Sequence, residues 1–63
     1  MIDEVLEHLI VGLVNERQYC RNYKDEKKTY YIHRELIKDF CEHAGFDVDE
    51  GLTKYSKMYW GEK

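Results

Sequence analysis

Residues 2–21, IDEVLEHLIVGLVNERQYCR, decide the fold. Plotted at 100° per residue, Ile2, Val5, Leu6, Leu9, Ile10, Leu13 and Cys20 fall on one arc about 140° wide, with Glu16 and Arg17 at its margins. That pattern predicts an amphipathic helix over residues 2–21. Its acids (Asp3, Glu4, Glu7) come early and its bases (Arg17, Arg21) late, the order that complements the helix dipole.

Beyond this segment, Asn22 to Thr29 shows no apolar periodicity and reads as a solvated loop. Periodicity returns over residues 30–44. Tyr30, Leu36, Ile37, Phe40, Cys41 and Ala44 fall on one side, with Arg34, Glu35, Lys38, Asp39 and Glu42 on the other, which predicts a second helix. The strand propensity of Thr29-Tyr30-Tyr31-Ile32 leaves open a short extended segment at 29–33. Gly45 followed by Phe46 fits a left-handed C-cap with an apolar residue folding back on the last turn. Asp47 then supplies an N-cap acceptor with Glu50 three residues on, and a third helix is expected over 48–59, its apolar side carrying Val48, Leu52, Tyr55, Met58 and Tyr59. The fold class expected is all-α, a compact three-helix domain forming one unit over residues 1–63.

Composition narrows the function. The chain is 43% hydrophobic and 37% charged, with a net charge of −3, values that suit a compact domain and not a disordered tail or a membrane protein. The longest uncharged apolar run, His8 to Val14, is far short of the roughly 20 residues a spanning helix needs. The opening Met1-Ile2-Asp3-Glu4 is acidic where a secretory signal is basic, so a cytoplasmic setting is expected. Two cysteines, Cys20 and Cys41, suit buried thiols in a reducing compartment better than a disulfide framework. A chain of 63 residues without staples is near the size at which burial barely offsets chain entropy, and self-association as a homodimer is expected.

Two surfaces suggest partners. Val11 and Val14 lie outside the main stripe of the first helix, and with Ile10 they outline a second apolar edge that could form a dimer seam. Trp60 continues the third helix onto the polar side with Asp49, Thr53 and Ser56, so either the helix has ended or the ring is exposed. Tyr59 and Trp60 complete the expected protein interface. The main expectation is therefore a small non-enzymatic regulator or adaptor that binds another protein or itself, through Ile10, Val11, Val14, Tyr59 and Trp60.

The alternative is nucleic-acid binding. Residues 17–38 hold seven bases against three acids, and tyrosines 19, 23, 30 and 31 are interleaved with Arg21, Lys24, Lys27, Lys28 and Arg34, a mixture that can hold phosphates and stack bases. A helix-turn-helix centred on Gly45 fits Phe40, Ala44 and Phe46. It fails six and nine residues further on, where Gly51 and Lys54 occupy buried positions of that motif. Asp47, Asp49 and Glu50 would also face the phosphates at the start of a recognition helix.

Chemistry has little to rest on. Cys20, His33, Cys41 and His43 lack the paired spacing of a zinc site, and His33 reads as a core histidine. A calcium loop counted from Asp47 places Leu52 where glycine is needed and Met58 where a bidentate glutamate is needed. Ser56 has no nucleophile-elbow context, Cys41 and His43 point apart on a helix, and no glycine-rich phosphate loop is present. No catalytic residue, metal, cofactor, small-molecule substrate or membrane contact is expected.

Overall fold

A computed structural model describes residues 3–61 and shows an all-α, three-helix architecture with no strand among them. Helix α1 spans Glu4–Asn15, a 3-10 turn follows at Glu16–Tyr19, α2 spans Tyr23–Ala44 and α3 spans Val48–Tyr59. The expected start of the first helix at Ile2 lies outside the described residues. Asp3 caps α1, its carboxylate accepting the Val5 N–H at 2.7 Å.

Two boundaries differ from the sequence reading. The first helix stops at Asn15 instead of residue 21, because the chain tightens into the 3-10 turn and then extends at Cys20. The turn lets Arg17 reach both other helices: its guanidinium donates to the Tyr59 carbonyl at 2.6 Å and pairs with Glu26 at 3.5 Å. The second helix begins at Tyr23 and not at residue 30, so the loop read at 22–29, past its extended cap Asn22, and the extended segment considered at 29–33 are helical. Asn22 starts it by accepting the Asp25 N–H at 2.9 Å, with Asp25 and Glu26 in the first turn. Polar tertiary contacts then secure these early turns, which have no apolar face to signal them. Tyr59 donates its hydroxyl to the Glu26 carbonyl at 2.8 Å, and Cys20 Sγ lies 3.6 Å from Thr29 Oγ1.

The turn between α2 and α3 follows the local signals. Gly45 takes φ 82°, the Phe46 N–H reaches the Cys41 carbonyl at 2.9 Å, and the Phe40 and Phe46 rings lie 5.7 Å apart. Asp47 caps α3 through the Glu50 N–H at 3.1 Å.

One core joins the three helices: Leu6, Ile10 and Leu13 from α1, Ile37 and Cys41 from α2, Tyr55 and Tyr59 from α3. Gly51 marks a close approach of the helices. A β-carbon there would lie 3.1 Å from Cys41 Sγ and 3.5 Å from both Ile37 and Leu6, so the buried position that defeats a helix-turn-helix reading is where the helices meet. Helix α2, 22 residues and about 33 Å long, runs nearly the full 34 Å of the molecule, while α1 and α3 have 12 residues each. Its opposite face has no neighbouring helix among the described residues.

Candidate interaction surfaces

The C-terminal end of α3 is an aromatic knot. The helix ends at Tyr59, and the Trp60 ring lies 5.0 Å from Tyr59, 5.2 Å from Tyr30 and 6.1 Å from Tyr23, remaining 37% exposed. The Arg17 guanidinium covers both Tyr59 and Trp60 at 5.4 and 5.6 Å from their ring centres. Tyr59 itself is fully buried, as is Ile10, so these two expected interface residues belong to the chain's own core. Val11 and Val14 are half-buried, Val14 against that core. Glu7 on the same side of α1 pairs with Lys54 at 3.7 Å, which assigns this edge of α1 to the α3 side.

A buried polar chain runs beside the knot. His33 Nδ1 lies 2.9 Å from the Tyr55 hydroxyl and Nε2 lies 3.3 Å from Glu16. A neutral ring protonated at Nε2 satisfies both contacts, donating to Glu16 and accepting from Tyr55. Burial holds the Tyr55 phenol above its ordinary range, with Tyr59 and Tyr30 adding to the effect. Burial likewise raises Tyr59, helped by its contact with Cys20. The Cys41 thiol is raised by burial first and by Asp47 and Glu42 second. Ser56 is engaged with Tyr30, hydroxyl to hydroxyl at 2.6 Å, and His43 Nδ1 lies 2.9 Å from the Asp39 carbonyl one turn back.

The outer surface of α2 divides into two strips. One carries Ile32 and Leu36, 53% and 50% exposed. Tyr19 is exposed beside Ile32, lining the same shallow cleft. Val5, 60% exposed, lies about 160° round α1 from Glu7 and so on the edge away from α3. These aliphatic residues were not among the expected interface positions. The pattern alone puts Leu36 on the core side of the second helix and Val5 in the central stripe of the first, whereas the structure leaves both at least half exposed. With α2 starting at its Asn22 cap, the spacing of three and four residues puts Ile32 and Leu36 on one stripe with Asp25, Lys28, Asp39 and His43.

The other strip is basic and aromatic. Tyr23, Lys24, Lys27, Tyr31, Arg34 and Lys38 fall within about 100° of one another on the α3 side of the helix. Lys27 lies over Tyr23 at 5.9 Å and Arg34 over Tyr30 at 5.7 Å. Among the described residues, Lys24, Lys27, Arg34 and Lys38 have no ion-pair partner, whereas Arg17, Arg21 and Lys54 each face a carboxylate. A cleft of about 260 Å³ lined by Tyr31, Arg34, Glu35, Lys38 and Leu52 adjoins the strip. The structure thus divides the expected basic set. Lys24, Lys27 and Arg34 stay together and gain Lys38, while Arg21 pairs with Asp25 at 3.7 Å and Lys28 lines the cleft beside Ile32.

No helix among the described residues is long and apolar enough to cross a membrane. Comparison with protein-family models, with curated proteins and with solved structures returns no match.

Proposed function

We propose that this chain is a small non-enzymatic regulator or adaptor that works in the cytoplasm by protein-to-protein contact and self-associates as a homodimer. The observation that carries the reading is the outer face of α2, where Ile32 and Leu36 stand half exposed although the internal core is closed without them. Aliphatic side chains aligned on one helix face gain free energy by leaving water, and a small domain gains proportionally more by sharing them with a second molecule. The cytoplasmic setting is supported by the free thiols of Cys20 and Cys41. Trp60, part exposed, and the half-buried Val11 leave apolar surface that supports a contact with a different protein, whereas Val14 packs against the core. Light scattering of the full chain across a concentration series tests the reading. The expected result is a mass rising toward that of a dimer, and Leu36→Asp should abolish the rise while leaving helix content intact. A constant monomer mass sinks the self-association.

A second reading, nucleic-acid binding, is favoured by the bases Lys24, Lys27, Arg34 and Lys38, which have no ion-pair partner among the described residues, beside the exposed rings of Tyr23 and Tyr31. Contacts to phosphates must weaken steeply with salt. Labelled single-stranded and duplex oligonucleotides titrated at two ionic strengths test it, and absence of binding at low salt removes it.

A further inference from the structure

The exposed stripe of α2 has an order that identifies its occupant. Along the helix it reads Asp25, Lys28, Ile32, Leu36, Asp39, His43, that is acid, base, apolar, apolar, acid and a histidine. The steps of three and four residues hold these six within about 80° of arc, on the side of α2 away from the core. Reversed end for end about a midpoint near Arg34, the stripe meets its own complement: Ile32 opposite Leu36, Lys28 opposite Asp39, and Asp25 opposite His43. A parallel match would instead set Lys28 against Lys28 and Asp39 against Asp39.

We propose that a second copy of this chain docks on this face, α2 against α2 in antiparallel orientation about a two-fold axis near Arg34. The proposal rests on the self-association argued above and specifies its seam. An isologous interface repeats every contact twice, so one complementary pair in the sequence gives two across the dimer. Ile32 and Leu36 of each copy form the apolar centre, with Tyr19 at its edge next to Ile32. Lys28 and Asp39 have no ion-pair partner within the described residues of their own chain and are free to pair across the seam. Asp25 already faces Arg21 at 3.7 Å and contributes less.

Sedimentation of the full chain, its Lys28→Asp and Asp39→Lys variants, the double variant, and an equimolar mixture of the two single variants tests the seam. Each single reversal places like charges face to face at two symmetric points and should weaken association by about tenfold. The double variant restores opposite charges and should return to within about threefold of the parent. The mixture should associate more tightly than either variant alone, because a mixed pair sets two acids against two bases although both chains keep a negative net charge. Circular dichroism checks that these exposed positions leave the helices formed. A dimer indifferent to all four changes overturns the seam while self-association stands. A monomer throughout overturns both.

Discussion

The two ends of the core close by different physical means. At the Gly51 end, Leu6, Ile37 and Cys41 crowd a position that has no side chain, so shape alone excludes water. At the Tyr59 end, closure is polar and aromatic: a phenol bonded to a helix carbonyl, a guanidinium lying over two rings, and a histidine held between Tyr55 and Glu16. The first end depends on volume and the second on partners. A substitution that keeps volume but removes a hydroxyl should separate them.

The largest effect is expected where volume governs. Ile37→Ala removes a fully buried side chain beside Gly51 and should destabilise the fold by about 2–5 kcal/mol in denaturant titration. Next comes Tyr59→Phe, which keeps the ring but loses the bond to the Glu26 carbonyl. About 1–1.5 kcal/mol should be lost, with amide exchange accelerating in the first turns of α2 more than in α3.

The same phenols make the polar end sensitive to alkali. Burial raises Tyr55 and Tyr59 above the ordinary phenol value, so the folded state holds these protons more tightly than the unfolded chain. Their contribution is whole below a pH of about 10 and declines as pH rises beyond it. A denaturation midpoint that falls above this point, with a shallower fall in Tyr59→Phe, is the expected record. A flat alkaline limb would contradict it.

Gly51→Ala should be the mildest change, about 1 kcal/mol destabilising, since the better helix propensity of alanine offsets part of the crowding against Cys41. In a Cys41→Ala background the same substitution should lose its penalty. Equal penalties in the two backgrounds would show that the contact with Cys41 is not what fixes glycine there.

Features written in neighbouring residues were legible in the sequence. The Gly45-Phe46 turn, the Asp47 cap, the extent of α3 and the burial of His33 and Cys41 all follow from local pattern, because the groups that satisfy each turn lie within one helical turn in the chain. The first turns of α2 carry a local signal in the Asn22 cap, but no apolar face, and the contacts that secure them are distant. Arg17 and Tyr59 meet Glu26, and Cys20 meets Thr29, contacts that hydrophobic periodicity does not register. With Asn22 to Thr29 read as a loop, Asp25 and Lys28 do not join Ile32 and Leu36 in one stripe, and of the expected interface residues Ile10, Val11, Val14, Tyr59 and Trp60 the structure buries Ile10 and Tyr59 in the core. Trp60 was legible as an anomaly, but the covering of its ring by Tyr30, Tyr23 and Arg17 depends on three separate segments.

The bond from Tyr59 to Glu26 also sets an order of events at the ribosome. A nascent chain emerges from its N-terminal end, so the start of α2 is made 33 residues before the residue that fastens it. Until Tyr59 clears the exit tunnel, the segment from Asn22 to Glu26 lacks its clasp.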